Sequence, residues 1–253
     1  DGTQQSVQRI ELGDIESFLQ KHLVLKRAIV VIGGDLEWSE AKKLIEAFLS
    51  PLKEGEMEPL PFYDASDKQK ETLQKEEQIQ QAYIYFGSPY YMRVNSPDLH
   101  LSRLAMFILG TGGFGSRLME EIRVKRGLAY SAYSFARINK SHSYYSGYLQ
   151  TKLESADEAK RLVKEVIAKF VQKGVSQKEL EQAKKFILGS EPLRNETLAQ
   201  RLSRAFHEYY TGKPLGWSKK ELELIEAATL DQLNEFIKKH TEIMKLSFSI
   251  VTK

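Results

Sequence analysis

Ser116-Arg117-Leu118-Met119-Glu120-Glu121-Ile122-Arg123-Val124-Lys125-Arg126-Gly127-Leu128-Ala129-Tyr130-Ser131 takes the chain from a helix, through a glycine stop, into a strand. Gly127 is placed to close the helix in the left-handed conformation that only glycine adopts without strain. A glycine-rich turn, Gly110 to Gly115, leads into this helix. Before it, Ser96 and Pro97 supply a cap and a first-turn proline for an apolar helix over Leu99 to Leu109. After it, strands are expected at Leu128 to Ala136 and Ser143 to Thr151, and upstream the alternation Ile79-x-Gln81-x-Tyr83-x-Tyr85 predicts a half-buried strand. Beyond residue 151 the chain reads as mostly helical. Ser155 with Glu158, and Ser176 with Glu179, have the spacing of capping boxes. An apolar stripe from Ala159 through Leu162, Val163, Val166 and Ile167 to Phe170 lies at helical spacing. Paired antiparallel strands among groups of helices predict an α+β architecture with the helices packed on one face of the sheet.

The chain also repeats itself. With Phe18 set on Phe236, an offset of 236 − 18 = 218, Leu12 meets Leu230, Leu19 meets Ile237, His22 meets His240 and Ile32 meets Ile250. Each copy reads as an amphipathic helix ending in Lys-His and then an apolar strand, Ala28 to Ile32 in the first and Leu246 to Val251 in the second. This divides the chain into the terminal piece of a first module (1–56), a proline-rich and charged linker (57–75) and a second module (76–253). With one module lacking its beginning and the other its closing helix, exposed apolar surface and self-association as a homo-oligomer are expected.

Composition narrows the function. The 37 basic residues against 34 acidic ones leave +3, too small and too dispersed for a nucleic-acid partner or a membrane surface. No cysteine occurs, which removes disulfides, thiolate metal sites and cysteine nucleophiles. No leader or long apolar run is present, so a soluble, mature or excised protein of the periplasm or cytoplasm is expected, the compartment staying open. The five histidines, at 22, 100, 142, 207 and 240, never stand four apart, so neither H-E-x-x-H nor H-x-x-E-H can be drawn. The glycine turn offers backbone N–H groups to an anion, as phosphate loops do. It follows a helix, however, and lacks the completing lysine, so a hinge between two helices is the plainer reading.

The Arg123-to-Tyr130 stretch resembles the second-module signature of the pitrilysin and insulinase metallopeptidases, in their branch related to mitochondrial processing peptidase. Leu109-Gly110, the paired glycines before Ser116-Arg117-Leu118, Gly127-Leu128-Ala129-Tyr130 and Gly174-Val175 before Glu179-Leu180 extend the likeness over most of the chain. The resemblance implies the LuxS/processing-peptidase-like metallohydrolase fold, with a zinc-bearing module and a non-catalytic one facing each other across a chamber. It gives Arg123 and Tyr130, seven apart, the task of aiding catalysis at a peptide held beside zinc, and Gly112, Gly113, Ser116 and Arg117 a substrate-binding role. It implies no cofactor in this chain, zinc on a partner H-x-x-E-H module upstream in the parent or on a separate subunit, and an extended peptide as substrate. An inactive homologue serving as a structural or interaction module is the alternative.

Overall fold

The computed structural model describes residues 2–253, which divide into two compact units, Asp1–Leu60 with Asn195–Leu215, and Pro61–Arg194 with Gly216–Lys253. The helices are α1 (Gln4–Gln8), α2 (Leu12–His22), α3 (Trp38–Leu49), α4 (Leu99–Met106), α5 (Arg117–Met119), α6 (Ala156–Lys173), α7 (Gln177–Gly189), α8 (Leu198–Tyr210), α9 (Trp217–Ala227) and α10 (Leu230–Lys239). The strands are β1 (Tyr63–Asp64), β2 (Glu71–Lys75), β3 (Gln81–Pro89), β4 (Ala129–Ile138), β5 (His142–Lys152) and β6 (Ser247–Thr252). Among the described residues no helix is long and apolar enough to cross a membrane.

The larger unit is the expected α+β layer. Its sheet runs β4-β5-β3-β6-β2, antiparallel except where β2 lies parallel to β6, and β1 adds a short parallel pair to β5. One face is buried under the helices. Ile84 and Phe86 of β3, Tyr145 and Leu149 of β5 and Phe248 and Ile250 of β6 form a single core with Val163, Ile167 and Phe170 of α6 and with Leu233, Phe236 and Ile237 of α10. Each such side chain contributes about 1.5–3 kcal/mol when fully buried, so α6 alone, with Ala159, Leu162, Val163, Val166, Ile167 and Phe170 buried, anchors the layer. Within the stretch expected as a linker, residues 63–64 and 71–75 are strands of this sheet.

Local capping is mixed. Ser176 and Glu179 close a capping box on α7 as expected, whereas the Ser155 side chain makes no cap bond to α6. The first helix of this unit starts after Asp98, whose side chain makes no cap bond, rather than after Ser96, whose hydroxyl instead accepts the Arg93 N–H at 2.9 Å.

The smaller unit gathers α1, α2, α3 and α8. Gly33, with no side chain, lets Leu202 and Leu198 of α8 come close; a Cβ there would sit 2.9 Å and 3.3 Å from them. The repeat places α2 and α10 with matching starts, Leu12 on Leu230. Their burial differs. Leu233, Phe236 and Ile237 are buried, while their counterparts Ile15, Phe18 and Leu19 are exposed at 49%, 61% and 47%. The strand expected at residues 28–32 does not form. A strand needs a neighbour for its backbone N–H and C=O groups, and none of the described residues of this unit supplies one.

Candidate functional site

Two wide turns frame the glycine loop. Phe107–Thr111 and Glu120–Val124 are π-helical, closed by Gly112 N–H to Phe107 C=O (2.9 Å) and Lys125 N–H to Glu120 C=O (3.0 Å). Gly110 must be glycine for steric reasons, since a Cβ would overlap the Ser134 hydroxyl and lie 2.6 Å from the Ser134 backbone N and O. Gly113 turns the chain at φ +60°, and Gly127 at φ +61° ends the second turn by giving its N–H to the Arg123 carbonyl (2.8 Å).

Arg123 projects from the second wide turn with Tyr130 just past Gly127, on β4. Its guanidinium carbon stands 4.6 Å from the Tyr130 ring centroid and 4.6 Å from that of Phe114, so the cation is held between two aromatic faces. Phe114 is 66% exposed and Tyr130 82% exposed. Arg123 makes no ion pair among the described residues, which leaves its N–H edge free to donate. Beside it, Glu121 is held by Lys125 at 2.6 Å and Arg126 at 2.8 Å, hydrogen bonds that keep its carboxyl below the usual range.

Arg123 and Tyr130 are thus brought together, with the Gly112–Gly115 turn adjoining through Phe114. Ser116 and Arg117 face elsewhere. Ser116 is fully buried; its hydroxyl donates to the Gly113 carbonyl (2.8 Å) and accepts the Met119 N–H (3.4 Å). Arg117 forks onto Glu179 (Nε 2.6 Å, guanidinium NH2 2.9 Å) and donates to the Gly174 carbonyl at 2.8 Å. Burial pushes the Glu179 carboxyl up, but Arg117 and the Ser176 N–H and hydroxyl outweigh it and bring it down to about 2.

A feature the motif does not reveal is the sheet's open face. Tyr83 and Tyr85 of β3, Tyr133 and Phe135 of β4 and Tyr144 and Tyr148 of β5 alternate with the buried positions and point away from the helices. Tyr85 and Tyr148 pack 4.7 Å apart and Tyr133 and Tyr148 5.7 Å apart. The alternation was visible in sequence; what marks this face is its run of tyrosines, five of the six aromatic residues named. At the edge, β4 pairs only with β5 among the described residues, and so offers a row of unpaired backbone groups beside Tyr130.

Among the described residues no group of three or more His, Asp or Glu side chains converges on a point. His240 bonds Glu242 at 2.6 Å and packs on Tyr90 and Phe236, and His142 sits between Asn139 and Ser141 at 2.9 Å.

The profile of the family described as "Peptidase M16 inactive domain" matches residues 9–187. A Helicobacter pylori protein named "Non-peptidase homolog YmxG" is 43% identical over 251 residues, covering 99% of this chain and 58% of its own length. The "Uncharacterized zinc protease YmxG" of Bacillus subtilis is 23% identical over 92% of this chain and 53% of its own length. Among solved structures, a peptidase M16 inactive domain from Pseudomonas fluorescens superposes with a TM-score of 0.87 at 24% identity, over 100% of this chain and 60% of the other. The chain therefore spans less than two thirds of the proteins it matches. Fold, signature and profile agree, and the chain belongs to the peptidase M16 inactive-domain family, as a non-catalytic peptidase homologue.

Proposed function

We propose that this chain holds an extended peptide along the open, tyrosine-bearing face of its sheet and presents Arg123 and Tyr130 to it, while a zinc-bearing H-x-x-E-H module, upstream in the parent or on another subunit, does the cutting. The observation that carries this is the guanidinium pinned between Phe114 and Tyr130 with its N–H edge uncommitted. A stacked arginine is a rigid fork for a carbonyl or carboxylate. When a metal-bound hydroxide attacks a peptide carbonyl, charge grows on the oxygen, and a fixed guanidinium with a phenolic O–H stabilises that charge. The free edge of β4 supports strand addition, in which the peptide's backbone pairs with the sheet and its side chains meet the tyrosines. Gly112 and Gly113 let the peptide approach the backbone closely, and Ser116 and Arg117 serve indirectly by fixing the turn.

A second reading is favoured by one finding: the 43% identical relative is named a non-peptidase homologue. On that reading the parent grips a peptide or partner without cutting it. The test uses the whole parent protein, with peptide affinity and hydrolysis both measured. Tyr130→Phe is expected to lower kcat by about 10²-fold with KM little changed, and Arg123→Ala to harm both. An unmodified parent that binds peptide, loses that binding in Arg123→Ala and never hydrolyses supports the second reading. Wild-type binding and turnover in both variants would end the assignment of Arg123 and Tyr130.

A further inference from the structure

On the helical side of the larger unit, Phe114, Leu162 and Val166 contribute to a groove of about 590 Å³ that runs between the glycine turn, α6 and the start of α7. Its rim is unevenly charged. Arg117 is committed to Glu179 and Lys125 to Glu121. Three further cations, Lys169, Lys173 and Lys178, are exposed, face one other acid, Glu120, and make no ion pair among the described residues. Local helix physics does not call for all of them. Lys173 ends α6, where the dipole favours a cation, but Lys169 repels it from one turn away, and Lys178 stands in the first turn of α7, where the dipole favours an acid. Charge kept against local preference, beside an exposed phenylalanine on a glycine turn, is the pattern of a binding surface.

We propose that this groove docks an acidic peptide segment, one apolar side chain lying on Phe114 and the α6 floor and its carboxylates on Lys169, Lys173 and Lys178. The charge excess selects the occupant: a basic segment would meet three uncompensated ammonium groups, and a neutral one would leave them unused. Phe114 also stacks on Arg123, so an occupant packed on it fixes one wall of the Arg123 site. The groove is thus a docking site beside the Arg123–Tyr130 pair and is tested apart from it.

The probe is a fluorescein-labelled peptide with a central Leu-Phe pair flanked by aspartates and glutamates, titrated with the 253-residue chain by anisotropy. It is expected to bind at least about tenfold more tightly than the same peptide with lysines for the acids, and to weaken as salt is raised. Lys169→Glu combined with Lys173→Glu, and separately Lys178→Glu, are expected to cut affinity by about tenfold and threefold with an unchanged circular dichroism spectrum. Equal binding of the acidic and basic peptides, or wild-type affinity in both charge-reversed variants, would each overturn the proposal.

Discussion

Glu179→Gln tests the support beneath the candidate site. Glu179 receives two hydrogen bonds from Arg117 and two from Ser176, so it ties the first residue of α5 to the cap of α7. Burial opposes its charge, but these donors win and take the carboxyl from its ordinary 4.5 to about 2. A fall of that size carries about 3 kcal/mol at about 1.36 kcal/mol per unit. Because the side chain is 27% exposed, solvent screening brings this to about 2 kcal/mol. Glutamine keeps one acceptor oxygen for the capping box, while removing the charge and turning an amide NH2 toward the Arg117 Nε–H. For a chain of this size the loss is expected to lower Tm by roughly 4–8 °C at pH 7.

The sign with pH follows from the direction. A carboxyl whose folded value is depressed contributes fully above its unfolded value and loses that contribution as pH falls through the folded one. Wild type and Glu179→Gln should therefore differ most above about pH 5, retain roughly two fifths of the gap at pH 3, and converge near pH 1. Thermal melts by circular dichroism across this range measure it. A difference under about 1 °C at pH 7, or one that stays constant down to pH 3, would refute the assignment of Glu179 as the charge that holds Arg117.

Three other substitutions probe the same layer. Gly110→Ala drives a methyl into Ser134 of β4 and is expected to lose about 3 kcal/mol or more, read as a large fall in Tm or in soluble yield, whereas Gly113→Ser, with open space around it but φ +60°, should lose only about 1 kcal/mol. Glu242 is 4% exposed in its side chain; burial raises its carboxyl, but the hydrogen bonds from His240 (2.6 Å) and the Tyr91 N–H (3.0 Å) bring it below the usual range. Glu242→Ala strands the Tyr91 N–H and is expected to lose about 2–4 kcal/mol at pH 7, measured by urea unfolding, with the loss shrinking as pH falls through the carboxylate range.

What could be read from sequence was what local chemistry dictates. The glycine stop at Gly127, the capping box at Ser176, the stripe on α6 and the strands carrying Tyr85, Tyr130 and Tyr148 all follow from spacing within a few residues. Two local readings failed, the caps at Ser96 and Ser155, but the larger failures fell where the outcome depended on distant partners. Residues 28–32 have strand composition but no neighbour to pair with, and residues 71–75 were unreadable as a strand because their partner, β6, lies more than 170 residues on. Arg117 shows the same limit at the site. Its place in the Ser-Arg-Leu motif pointed to substrate, and nothing nearby reveals that Glu179, 62 positions later, takes its guanidinium.

The two π turns explain why the site stands where it does. Each closes its backbone hydrogen bond over five residues where an α-helix uses four, so the residues that follow are rotated relative to an unbroken helix. Such turns are rare, and this unit places one on each side of the glycine loop. In the second, Ile122 stays fully buried while Arg123 swings out to lie between Phe114 and Tyr130. Helical geometry alone would prefer the unbroken α form, so the turn stands against local preference. On the proposed reading, what it provides is the placing of Arg123 between Phe114 and Tyr130.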